Sequence, residues 1–253
     1  MDQPVVAANP RKIPVYRQIE QYILDLINSP GYAPGDRVPS ERALAETLGA
    51  NRMTVRKAID GLVAQGLLER HRTSGTRIRL PRVTRPTDAR TSLGITRLIQ
   101  SSGATPGNKL LHFQEQQASG RIAERLGLKE GHPITVVRRL WTVDGAPFCI
   151  ETSHLPAERV PDLAAEDLTT GQSLYALLRG RYGITTVGGE RIISVSTCTE
   201  MESRLLDLPP NSSCLLLRLV VADQKGRPVE YMTSVNHPRL VVFKTEHAAL
   251  SNS

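Results

Sequence analysis

Residues 39–76 read PSERALAETLGANRMTVRKAIDGLVAQGLLERHRTSGT, and this stretch constrains the fold more than any other. Ser40 and Asn51 stand where a side-chain oxygen can accept a hydrogen bond from an amide of the first turn, so each opens a helix. Glu41 complements the dipole of the first of these helices. Gly49 ends it, since a glycine takes the left-handed conformation at little cost. The second helix runs to about Gln65, before Gly66. Val55, Ile59 and Leu62 line one of its faces, while Arg52, Thr54 and Arg56 project elsewhere near its N-terminal end. Strands are expected over 67–72 and 76–80, around the turn Thr73-Ser74-Gly75. Two short helices, a tight turn and a basic hairpin make a winged helix-turn-helix, whose second helix enters the major groove by its N-terminal end. An arginine there can fork onto guanine O6 and N7, and a threonine can touch a phosphate or a thymine methyl. A solvated helix face and a charged sheet edge would explain any one of these basic residues; it does not explain the set.

Charge follows the same division. Residues 1–85 carry 14 Lys+Arg against 8 Asp+Glu, and residues 86–253 carry 18 against 17. Arg52 to Arg85 alone holds 9 basic and 2 acidic residues, the local excess expected of a chain that neutralises phosphates. Aromatic residues make up 4% of the chain, too few for a platform that stacks single-stranded bases.

Upstream, residues 1–12 read as a polar arm. A helix is expected over 15–28, with Val15, Ile19, Tyr22, Ile23, Leu26 and Ile27 on one stripe. Pro30, Gly31, Pro34 and Gly35 stop it. Downstream, the polar, proline-interrupted residues 81–91 read as a linker. The three cysteines show no metal or redox spacing and read as buried apolar residues in a reducing compartment. No histidine cluster has ligand spacing, so no metal and no cofactor is expected. No run is long and apolar enough to span a bilayer, and the chain is expected to be cytoplasmic.

The remainder contains an internal repeat. IAERLGLKEGHPITVVRRLWTVDGAPFCIETS from Ile122 parallels MESRLLDLPPNSSCLLLRLVVADQKGRPVEYMTS from Met201. Each copy predicts a short helix, a strand, a D-G or D-x-x-G turn and a second strand. With further strands near 109–116 and 186–194 and a helix over 173–182, the expected fold class is α+β: an antiparallel sheet with helices on one side and a pseudo-twofold between the copies.

Residues 14–80 resemble the winged helix-turn-helix of GntR-type bacterial transcription regulators. The matching motifs are Pro14-Val15-Tyr16-Arg17-Gln18-Ile19, Val38-Pro39-Ser40-Glu41-Arg42, Asn51-Arg52-Met53-Thr54-Val55-Arg56 and Thr73-Ser74-Gly75-Thr76. Asn51 replaces the usual serine and keeps the cap. Thr73 replaces the first wing glycine. The resemblance implies that Arg42, Arg52, Thr54, Arg56 and the wing residues Arg72, Thr73, Ser74 and Gly75 touch double-stranded DNA. It also implies a homodimer on a short palindrome with GT and AC at its outer edges.

Residues 92–247 are similar to the effector domain of the HutC subfamily, the chorismate-lyase-like UTRA domain. The motifs are SSGATPG, RRLWTVDGAPFCIETSHLP, SLYALL and GRPVEY. The implied organisation is an arm over 1–12, a DNA-binding domain over 13–80, a linker over 81–91 and an effector domain over 92–250. By this similarity an effector pocket is lined by Ser92, Arg139, Trp141, Glu151, Ser173, Tyr175, Glu230 and Asn236. Arg139 suits an anionic group. Members that bind sugar phosphates tend to carry a second arginine where this chain has Trp141, and a tyrosine followed by R-G-D where it has Asn236 and His237-Pro238-Arg239. A small carboxylate or a more apolar effector is therefore expected in preference to a phosphosugar.

The leading expectation is a ligand-responsive repressor and not an enzyme. The alternatives are lyase-like activity in the second domain, which rests on fold likeness alone, and sequence-independent DNA binding.

Overall fold

The computed structural model describes residues 13–80, 82–87, 94–169 and 173–245. The chain divides after Pro81 into two compact units. The arm expected over 1–12 lies outside the described residues.

The first unit contains helices α1 (Val15–Ile27), α2 (Glu41–Leu48) and α3 (Arg52–Ala64), then strands β1 (Leu68–His71) and β2 (Gly75–Ile78). The expected caps are formed: the Ala43 amide donates to Ser40 Oγ at 3.1 Å, and the Met53 amide donates to Asn51 Oδ1 at 2.8 Å. Gly49 ends α2 at φ 60°. Ile19, Ile23, Leu44, Leu48, Val55, Ile59, Leu62 and Ile78 share one apolar core. The β1–β2 hairpin is antiparallel, and the Val38 amide donates to Thr76 O at 3.0 Å, tying the hairpin to the segment before α2. The apolar face expected on the second wing strand stops at Ile78, because Leu80 lies beyond β2 and is exposed.

The second unit is built on one large antiparallel sheet. Its strands are β4 (Pro106–Gln117), β5 (Pro133–Val143), β6 (Ala146–Pro156), β7 (Thr186–Val187), β8 (Arg191–Thr197), β9 (Ser213–Asp223) and β10 (Pro228–Asn236). The spatial order is β4-β5-β6-β10-β9-β7, with β8 also pairing β9. The repeat explains this order. Helix α5 (Gly120–Leu126) precedes the β5–β6 hairpin and α8 (Glu200–Leu205) precedes β9–β10, and the two hairpins meet antiparallel at β6 and β10. The first hairpin closes through Asp144 and Gly145 at φ 49° and 80°, the positive values that a two-residue turn of the primed type demands.

Three expectations change. The strand expected over 186–194 is broken into β7 and β8. At Gly189 between them an added Cβ would fall 1.7 Å from Val220 O, so the backbone there passes too close to β9 for any side chain. Helices cover both faces of the sheet, not one. Residues of α5 pack with Ile134, Val136 and Tyr231 on one face. On the other, α6 (Glu166–Thr169) and α7 (Leu174–Tyr182) bring Leu168, Leu174 and Leu178 against Val137, Leu155, Leu219 and Met232. Strands buried on both sides, such as Ile134–Val137 of β5, leave apolar surface that each face must cover. Third, residues 83–86 of the expected linker form strand β3 (Val83–Pro86), parallel to β11 (Val241–Lys244). Val83 is buried with Trp141, Phe148 and Val241, and that burial holds the segment. Linker residues 81 and 88–91 lie outside the described residues.

Candidate functional site

The first unit presents a cationic helix end. Arg52 and Arg56 are one turn apart on α3 and exposed, as is Met53 between them, while Thr54 is half-buried. Arg52 lies 3.5 Å from Glu41, and Arg42 pairs with Glu46 at 2.8 Å; both arginine side chains are largely in solvent. Such pairs are weak and easily exchanged for a phosphate. Arg56 has no ion pair among the described residues.

In the wing, Arg72 and Thr73 are exposed and Ser74 and Gly75 half-buried at the turn. Gly75 has φ 83°, and an added Cβ would meet the Arg37 guanidinium at 3.0 Å. Arg37 therefore sits beside the wing tip, a cation that the motif reading did not single out. Other wing cations have structural duties. Arg70 bridges Glu41 at 3.1 Å and Asp60 at 2.7 Å, fixing the hairpin to α2 and α3, and Arg77 donates to Gly35 O at 2.9 Å.

In the second unit, a pocket lies on the sheet face shared with α7 and with α4 (Ile95–Ser101). Of the residues expected there, Arg139, Trp141, Glu151, Ser173, Tyr175 and Glu230 line it. Ser92 lies outside the described residues. Asn236 does not line the pocket; it is fully buried behind it, donating from Nδ2 to Leu215 O and Ser234 O at 3.0 and 2.8 Å. Register explains the convergence: Arg139 of β5 faces Glu151 of β6, which faces Ser234 of β10.

The electrostatics are those of charges held out of water. Arg139 is buried; burial pushes its pKa down, against the opposing pull of Glu151 and Glu230. Its guanidinium stacks over Trp141 at 4.7 Å, and its Nη1 is buried without a hydrogen-bond partner among the described residues. The Trp141 Nε1 and Thr96 Oγ1 are likewise buried and unpaired. Burial pushes Glu230 up from the usual carboxylate range, although Ser153 and Tyr175 bond it. The Tyr175 hydroxyl donates to Glu230 Oε2 at 2.7 Å, and burial beside that carboxylate raises its pKa well above the ordinary value.

Two further arginines line the pocket that motif reading had not placed there. Arg85, from the segment read as linker, reaches Glu151 at 3.0 Å. Arg191 of β8 donates to Pro86 O at 2.7 Å. The charge run ending at Arg85 signalled basicity, but nothing local showed that it would turn inward. Among the described residues no group of His, Cys, Asp and Glu is arranged to hold a metal ion.

A cationic winged helix joined to a sheet domain whose pocket is lined by buried charged and apolar residues defines a DNA-binding regulator with a ligand-binding module. Residues 15–78 match the family model described as bacterial regulatory proteins, gntR family, and residues 101–239 match the UTRA domain. The chain belongs to the GntR family of transcriptional regulators that carry a UTRA effector domain. It is 30% identical to the HTH-type transcriptional repressor NagR of Bacillus subtilis, over 88% of this chain and 90% of that protein. It is 34% identical to the uncharacterised HTH-type transcriptional regulator RB1450 of Rhizobium meliloti, over 87% and 89%. The crystal structure of PhnF from Mycobacterium smegmatis is similar at TM-score 0.64 and 28% identity, covering 91% of this chain and 99% of that one. These relatives and families are transcriptional regulators, not enzymes. No described helix is long and apolar enough to cross a membrane.

Proposed function

We propose that this regulator is a repressor that binds a palindromic operator as a homodimer and whose grip on DNA is set by a small anionic metabolite in the sheet pocket. The observation that carries the ligand class is the buried Arg139 Nη1, which has no hydrogen-bond partner among the described residues, with the Trp141 Nε1 beside it unpartnered among them as well. A buried donor left unsatisfied costs about 1–3 kcal/mol, more when charged, and an anionic oxygen removes that cost through a charge-assisted bond. Arg85 restores to the pocket the second guanidinium that position 141 lacks. Carboxylates and phosphates are thus both within the class.

On the DNA side, Arg42, Arg52, Thr54, Arg56 and the wing from Arg72 to Gly75 are the contacts. Exposure of Arg52 and Arg56 on one face of α3 supports base reading there. The name of NagR supports repression as the sense of regulation.

The test is a titration at fixed salt. A duplex selected by the protein from random sequence is compared with unselected duplex, each with and without inorganic phosphate, small carboxylates, amino acids and sugar phosphates. Preference for the selected duplex, weakened by one anion and insensitive to that anion in Arg139→Gln, is the expected result. Equal affinity for both duplexes, unmoved by every compound, would remove both halves of the reading.

A further inference from the structure

The strand nearest in sequence to the DNA-binding unit is held in place by a pocket residue. β3 begins two residues after Pro81, where the first unit ends. Among the described residues it pairs with β11 and with no strand of the large sheet. Besides the burial of Val83 against Trp141 and Phe148, its tie to that sheet is the Arg85 side chain. Nη1 donates to Ser234 Oγ and Asn236 Oδ1, both at 2.9 Å, and Nη2 donates to Glu151 Oε1 at 3.0 Å. Arg191 adds a second tie, to the carbonyl of Pro86.

Glu151 stands between two guanidinium groups. It pairs with Arg85 and is the cross-strand neighbour of Arg139. An anion that satisfies Arg139 comes close to Glu151 and repels it. The same anion attracts Arg85, whose guanidinium lines the same pocket. Guanidinium has five donors in a planar fork, so it can turn from Glu151 towards the newcomer while keeping Ser234 and Asn236.

We propose that Arg85 is the positioning residue through which occupancy of the pocket reaches β3, and through it the DNA-binding unit. Empty, the pocket holds β3 through Arg85–Glu151. Occupied, Arg85 exchanges Glu151 for the anion, and β3 changes its hold on the sheet. Ligand and DNA affinities are then reciprocally coupled, and Arg85 carries the coupling. This inference rests on the anion-pocket reading of the preceding subsection.

The experiment separates the two. The full chain and its Arg85→Gln and Arg85→Lys variants are titrated with inorganic phosphate and with succinate. Binding is read by fluorescence of Trp141, the single tryptophan, which lies in the pocket. Hydrogen exchange of residues 83–87 and 241–244 is read in the same samples, with affinity for the selected duplex. In the unaltered chain the bound anion should change exchange in both segments and shift duplex affinity by about 5- to 150-fold, the usual span of allosteric coupling. Arg85→Gln, which removes one of the two guanidinium contacts, should bind the anion more weakly through Arg139 and, at saturating anion, lose the exchange response and shift duplex affinity by less than about twofold. Arg85→Lys, which keeps the charge without the fork, should recover part of the response. A normal response in Arg85→Gln overturns the coupling role while leaving the pocket reading intact. Loss of all anion binding in Arg85→Gln, with exchange of residues 83–87 and 241–244 in the anion-free variant the same as in the unaltered chain, also overturns it, since Arg85 would then be a ligand contact that does not hold β3. Absence of any Trp141 response in the unaltered chain removes the pocket reading and the proposal together.

Discussion

Arg56→Ala is the cleanest probe of how α3 reads DNA. Arg56 is exposed on the first turns of α3 and makes no ion pair among the described residues, so its removal should leave folding stability within about 0.5 kcal/mol. Any loss of DNA binding is therefore not a folding effect. If the guanidinium forks onto a guanine, the selected duplex loses about 1–3 kcal/mol, or roughly 5- to 150-fold in Kd, while unselected duplex changes little. If it meets a phosphate, both duplexes weaken alike and the log–log salt slope falls by about one. Arg52→Ala serves as the internal comparison. Its 3.5 Å contact with Glu41 is solvent-exposed on the arginine side, so the energy released by freeing it is small. Fluorescence anisotropy across a salt series, with thermal unfolding of each variant alongside, reads both alternatives. Unchanged binding to both duplexes at every salt concentration would refute the assignment of the α3 N-terminal face as the reading surface.

Other outcomes follow from the same geometry. Asn51→Ala removes the bond to the Met53 amide and should destabilise the first unit by about 1 kcal/mol, measured by urea unfolding. Asp223 is buried at the β9–β10 turn, pairs with Arg159 and Arg227, and accepts from the amides of Lys225 and Arg227. Asp223→Ala should cost about 3 kcal/mol by the same measurement, the lower end for a broken buried pair because Arg227 is largely solvated. Gly189→Ala should displace β7 and β8 from β9 and lower the melting temperature of the second unit, since its methyl would meet the Val220 carbonyl. Burial and the nearby Arg239 push the His237 imidazole down to about 4. The unfolded chain then binds the extra proton first. Stability of the second unit should be full above the ordinary histidine range and fall as pH drops from about 6.5 towards 4. Urea midpoints measured across that window check this, and a His237→Asn variant should show a shallower acid slope.

Local chemistry was legible in the chain. Ser40, Gly49 and Asn51 mark helix ends by bonds made within four residues, and Asp144-Gly145 closes a hairpin by backbone preference alone. The repeat announced the two hairpins. Arg139 and Glu151 were placed together through family likeness, and the β5–β6 register provides the geometric reason.

What local chemistry could not decide was which way a basic, proline-bounded segment would face. Nothing between residues 81 and 91 distinguishes a solvated linker from a strand. The deciding partner, β11, lies over 150 residues further along the chain. Pairing with it buries Val83 and turns Arg85 onto Glu151, Ser234 and Asn236, so a residue that looked like part of a DNA-facing charge run becomes part of the sheet pocket. The same holds for Asn236, whose buried amide orients Arg85 from behind the pocket. Periodicity, capping and turn preference act over a few residues and are written in the sequence itself; the charge lining a pocket is set by strands that meet only once the chain has folded.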